Sequence, residues 1–149
     1  MGRAKLNLDY EECLKKGKIR PFSRGRSLAR KEIESAASDL ERAEKTFLDG
    51  DHKWASIQLY YSMFHSARAL LYSRNLREHS HFCLIAAIQA LFVDSQQFSK
   101  CLLDGLKEAK SLREDADYYG RWSKRGCQRL LDAAHQFLDQ ARKLVFKIE

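Results

Sequence analysis

The sequence predicts an all-α helical bundle, and three observations carry that prediction. A single proline, Pro21, interrupts the 149 residues, and three of the seven glycines, Gly2, Gly17 and Gly25, lie near the start. No run sustains the two-residue alternation of a half-buried strand, whereas apolar residues recur at helical spacing along most of the chain. A composition of 44% hydrophobic and 32% charged residues is that of a folded globular protein. The chain is long enough to bury a core without covalent staples.

The elements follow in order. Leu8, Cys13 and Leu14 give a short first helix over 8–16 an apolar side. GKIRPFSRGRS then concentrates Gly, Pro and Ser and reads as a linker. Ser27 is placed to cap a helix over 28–49, where Ala29, Ile33, Ala36, Ala37, Leu40, Ala43 and Phe47 keep the 3.6-residue period. Gly50 suits its C-terminal stop. Asp51 can cap the next helix, 53–73, which is apolar over a wide arc and so belongs at the centre. Ser80 caps a fourth helix over 81–93, and Phe98–Leu112 a fifth, through Leu102, Leu106 and Ala109. The polar stretch REDADYYGRWS reads as a loop, and Ser123 as the start of a last helix carrying Leu130, Ala134, Phe137, Leu138, Ala141 and Val145.

The net charge of +7 is unevenly placed. Residues 1–31 hold ten Lys/Arg against three acids, and the remaining 118 are balanced. Such a basic segment can attract phosphates, dock an acidic partner, or stand as a solvated arm. The chain therefore divides at 26: a basic N-terminal segment with a short helix and linker (1–26), then the bundle (27–149). No apolar run is long enough to span a membrane and no leader pattern opens the chain. The four cysteines at 13, 83, 101 and 127 show no C-x2-C spacing, which predicts reduced thiols in a cytoplasmic protein.

Several chemistries are excluded. There is no glycine-rich phosphate loop, no G-x-S-x-G elbow and no H-E-x-x-H helix. Glu114, Asp115 and Asp117 are the one dense carboxylate group, and they read as a solvated turn. No metal site and no cofactor are expected. Among the histidines, His52 is expected to be exposed and His135 partly buried. His65 and Arg68 share a helix face. Polar groups on so apolar a helix need partners, either in an internal network with the 114–117 carboxylates or in a pocket for an anion or nucleotide.

The stretch YSRNLREHSHF, 72–82, concentrates the remaining candidates. Arg74 and Arg77 carry guanidiniums that match phosphate oxygens in bidentate geometry. His79 and His81 sit at a helix start, whose free amides favour negative charge, and can exchange protons near neutral pH. One Arg–His pair suffices in principle for metal-independent RNA cleavage through the substrate's own 2′-hydroxyl. On composition alone, the same residues describe a basic turn leading into a capped helix.

YYSMFHSARALLYSRNLREHSHFCLIAAIQ followed by LREDADYYGRWS resembles the HEPN domain, in its branch of small prokaryotic proteins. The resemblance runs from about Ser27 to Phe146. It rests on Tyr60-Tyr61, Phe64-His65, Ala67-Arg68-Ala69-Leu70-Leu71, Ser80-His81, Arg113 and Ala116-Asp117-Tyr118. It implies an up-and-down bundle of four core helices plus short extra ones, usually a homodimer. It further implies a minimal nucleotidyltransferase as partner, in a toxin–antitoxin pair. Active members of the family are metal-independent ribonucleases with an Arg-x4–6-His motif. Here Arg74 matches with His79 across four residues and with His81 across six, the latter the more typical spacing of this branch. The expectation is that Arg74 stabilises phosphate charge while His79 or His81 acts as general acid or base. The alternative is a non-catalytic module that binds nucleotide or RNA through His65, Arg68, Arg77 and Arg113. A purely structural interaction protein would need none of these groups. A second match, Arg129 to His135, falls inside the last helix, where the two side chains diverge, and is read as chance.

Overall fold

The computed structural model describes residues 2–147, with side chains from Leu8 to Lys147. Arg3 and Lys5 of the basic segment therefore fall outside the described side chains. The elements are α1 (Gly2–Lys15), β1 (Ile19–Pro21), α2 (Gly25–Leu48), α3 (His52–Tyr72), β2 (Leu76–Glu78), α4 (His81–Ile88), a π-helical turn (Gln89–Val93), α5 (Lys100–Tyr118) and α6 (Lys124–Lys147). Among the described residues the fold is all-α apart from two three-residue strands.

Helix α3 is the hub, packing on α2, α4, α5 and α6. It can do so because apolar residues face every direction. Leu59, Met63, Ala67, Leu70 and Leu71 have no exposed surface. α2, α5 and α6 each contribute one stripe, as surface helices of a bundle do. Capping follows local chemistry. The Asp51 carboxylate accepts from Trp54 N at 3.2 Å, Ser80 Oγ from Cys83 N at 3.1 Å, and Ser123 Oγ from Gly126 N at 3.0 Å. Gly50 takes φ +85° at the end of α2, the left-handed stop that glycine adopts without steric cost.

Five expectations need correction. Helix α2 starts at Gly25, not after Ser27, whose hydroxyl instead donates to the Arg24 carbonyl. Gly25 is pressed against the end of α3, where a Cβ would stand 2.5 Å from the Tyr72 carbonyl oxygen. The supposed linker carries β1, which pairs antiparallel with β2 in the register Ile19–Glu78, Arg20–Arg77, Pro21–Leu76. Residues 113–118 are not a loop but the last turns of α5. Their charges pair along the helix, Lys110 with Glu114 at 3.1 Å and Arg113 with Asp117 at 3.5 Å, and Ala116 is fully buried. His135 is exposed and paired with Glu44 rather than partly buried. Finally, Cys13 and Cys83 are not free thiols but a disulfide joining α1 to α4, with Cα atoms 5.8 Å apart. Cys101 and Cys127 remain free.

The N-terminal segment is thus no loose arm. It runs along residues 73–83, bound by the disulfide, the two-strand ladder and several further hydrogen bonds.

Candidate functional site

The stretch from Ser73 to Cys83 is built as a pinned loop. Asn75 ends α3 in the left-handed region, φ 55°, which asparagine tolerates better than most residues. Its carbonyl accepts from Phe22 N at 2.7 Å and its side-chain oxygen from Arg26 N at 3.0 Å. β2 then runs beside β1, and His79 N donates to the Lys18 carbonyl at 2.8 Å, extending the ladder. Ser80 caps α4 and Cys83 is bonded to Cys13. Apart from the cap, these backbone anchors all come from the N-terminal segment.

Strand alternation sorts the side chains of this loop. Glu78 points inward, 7% exposed, and its carboxylate takes both Nε and a terminal nitrogen of Arg68, at 3.2 and 2.9 Å. Arg77 and His79 point outward and are exposed, with Arg20 directly across the ladder from Arg77. The Arg77 guanidinium lies 5.1 Å from the Phe22 ring centroid.

Arg74 and His81 go different ways. Arg74 lies over the Phe92 ring, 4.7 Å from its centroid, and lines a cavity of about 360 Å³ with Arg26, Ser73, Phe92, Gln97, Leu144 and Lys147. His81 lines another, of about 300 Å³, with Phe82, Ile85, Ala86, Lys107 and Lys110. The two share no lining residue. His81 is half-buried. Tyr60 Oη lies 3.4 Å from its Nδ1, at the long end of a hydrogen bond, and its Nε2 is buried without a partner among the described residues. Burial, helped by the Lys110 cation and opposed by Glu114, lowers the His81 pKa from 6.5 to about 4. The ring is therefore neutral at pH 7. Burial also raises the Tyr60 phenol above its ordinary value, against the pull of Arg113.

The residues of the expected polar pocket are not gathered. His65 pairs with Glu32 and Asp39 of α2, Arg68 with Glu78, and Arg113 with Asp117 while also donating to Tyr61 Oη at 3.1 Å. Each of these three residues has its own acid, and only Arg113 meets one from the 114–117 group, while Arg77 stands apart with no ion pair among the described residues. Arg129 and His135 pair with Glu108 and Glu44 respectively, as the diverging-side-chain reading requires.

Sequence reasoning missed Tyr60, Lys107 and Lys110 as neighbours of His81, and Arg26 and Lys147 as neighbours of Arg74. Only Tyr60 carried a signal, as part of the tyrosine pair in the resembling stretch.

The HEPN domain model matches residues 29–144. The chain is 28% identical over 113 residues to "Putative toxin MJ0142" of Methanocaldococcus jannaschii, an alignment covering 74% of this chain and 77% of that one. It is 27% identical over 117 residues to "Putative toxin MJ0605" of the same organism, covering 78% of this chain and 87% of that one.

Proposed function

The chain belongs to the HEPN domain family, and from that premise we propose that it is a toxin-type, metal-independent endoribonuclease. Its partner in this reading is a minimal nucleotidyltransferase. The observation that carries the reading is the pinned loop: the strand ladder and the hydrogen bonds of Asn75 and His79 fix its backbone independently of the disulfide, while Arg74, Arg77 and His79 are all exposed. A catalytic group held on a fixed backbone spends little entropy in reaching its transition-state geometry.

In this mechanism the RNA 2′-hydroxyl attacks the adjacent phosphorus and the 5′-oxygen of the next nucleotide leaves. Arg74 stabilises the charge that builds on the phosphoryl oxygens. A histidine takes the hydroxyl proton or protonates the leaving oxygen. His79 is the accessible one. His81, with a depressed pKa, is neutral and able to accept a proton once RNA or a second protomer reaches it. A homodimer is part of the proposal. Exposed Trp54 and Trp122, with Lys53 lying over both rings, offer the aromatic surface that oligomers bury. Among the described residues no helix is long and apolar enough to cross a membrane. The proposed site of action is the cytoplasm, where reducing conditions would leave Cys13 and Cys83 as thiols and α1 held by packing alone.

The test is cleavage of single-stranded RNA in EDTA by purified protein. Wild type should cleave. Arg74→Ala, and His79→Ala combined with His81→Ala, should each remove activity. A wild type inert in EDTA, or variants that cut as well as wild type, would overturn the proposal.

A further inference from the structure

We propose that Arg26, Arg74 and Lys147 form a seat for a phosphate group, and that the seat holds a backbone phosphodiester of single-stranded RNA. The three cations come from parts of the chain far apart in sequence: the first turn of α2, the residue after the α3 C-cap, and the last turn of α6. They line one cavity of about 360 Å³ with Ser73, Gln97 and the ring of Phe92.

What sets this cavity apart is that three cations line it together. Several cations near the candidate groups carry their own acids, Arg68 with Glu78, Arg113 with Asp117, Lys110 with Glu114 and Arg129 with Glu108, whereas Arg77 and Arg20 stand exposed on the ladder and line no cavity with a third cation. Among the described residues no ion pair joins Arg26, Arg74 or Lys147 to an acid, and no carboxylate lines the cavity. Three like charges with no counter-charge among the described residues repel one another, and a bound anion removes that cost.

The two arginines are also held in place. Arg74 rests on Phe92, which is 1% exposed, so its guanidinium is supported from one side and offers its N–H edges to the other. Arg26 donates from Nε to the Ser73 carbonyl at 3.4 Å, leaving its terminal nitrogens free of hydrogen bonds to the described residues, and its backbone N–H is tied to Asn75. Two guanidinium forks and one ammonium, approaching from three elements, suit a tetrahedral anion better than a flat carboxylate. The cavity exceeds the volume of one phosphate, leaving room for an attached ribose. The RNA assignment rests on the function proposed above, whereas the phosphate seat stands on its own geometry.

The experiment follows the side-chain Nε–Hε signals of Arg26 and Arg74 by NMR during two titrations in EDTA. One uses inorganic phosphate, the other a short single-stranded RNA made uncleavable by 2′-O-methylation. Both ligands should move both arginine signals, and phosphate should compete with RNA. Arg26→Gln and Lys147→Gln should each weaken RNA binding by about threefold to tenfold and lower its logarithmic salt slope by about one. Arg125→Gln, exposed at the other end of α6, should change affinity no more than loss of one remote surface charge does. Wild-type affinity and slope in both seat variants, or phosphate shifts confined to other residues, would overturn the seat. Phosphate binding that RNA does not displace would overturn the RNA assignment. Seat binding without any RNA cleavage would instead sink the ribonuclease reading and leave the seat standing.

Discussion

The cavity beside Arg74 and the cavity beside His81 open at the two ends of one short loop, yet they present opposite chemistry. The first gathers three cations with no acid among the described residues, and its apolar wall is Phe92 and Leu144. The second is walled by Phe82, Ile85 and Ala86, and its lysines are already engaged, Lys107 with Asp104 and Lys110 with Glu114. Their anchors differ too. Asn75 hydrogen bonds hold the Arg74 end, and the Cys13–Cys83 disulfide holds the His81 end. A charged group and a neutral proton acceptor are kept apart, each in surroundings that preserve its state. A histidine moved into the cationic cavity would be harder still to protonate, and an unpaired arginine moved into the apolar one would lose hydration.

The largest effect that would break the comparison is catalytic. Arg74→Ala should cut cleavage in EDTA by about a hundredfold to a thousandfold. Its melting temperature should stay near that of wild type, because Arg74 is exposed and unpaired among the described residues. His79→Ala should cost about a hundredfold. His81→Ala, by contrast, should act mainly on stability. If His81→Ala with an intact fold lost more activity than His79→Ala, the apolar cavity would be the catalytic one and the contrast would reverse.

A smaller effect concerns the anchors. Cys13→Ser should lower unfolding free energy by about 2–4 kcal/mol relative to the oxidised protein, since the bond closes a separation of 70 residues. Urea unfolding with and without reductant measures it. The variant should match reduced wild type, and Arg74-dependent phosphate binding should survive because Asn75 still holds that end. Loss of both ends together would show that the loop is one cooperative unit.

The smallest effect is pH dependence. His81 has a folded pKa near 4 against 6.5 unfolded, so the unfolded state binds the proton first. Its neutral form favours the fold above pH 6.5, and that stability is lost as pH falls from 6.5 towards 4. With its partial exposure discounted, the loss should be about 1–2 kcal/mol. Comparing denaturation midpoints of wild type and His81→Leu across this window isolates it. Parallel curves would show that the ring is better hydrated than its burial implies.

Much of the fold was legible. The wide apolar arc of 53–73 identified the central helix, and Asp51, Ser80 and Ser123 marked helix starts through bonds reaching three residues along the chain. The two strands were not legible, because three residues are too few to show alternation. The end of α5 was misread because its ion pairs resemble a polar loop in composition, and only the burial of Ala116 distinguishes them. For the site, the concentration of Arg74, Arg77, His79 and His81 was visible, but their parting was not. It follows from the left-handed turn at Asn75 and from the strand behind it.

The sequence alone determined the helical class, the caps at Asp51, Ser80 and Ser123, and the crowding of basic residues into 1–31, since the helical pattern and its caps depend on neighbours within about four positions. Only the tertiary structure decided that Cys13 meets Cys83, that the N-terminal segment clasps the Arg–His loop, and that Arg26, Arg74 and Lys147 face one another. Those meetings depend on how whole helices dock, and docking is set by the summed burial of many side chains rather than by any local pattern.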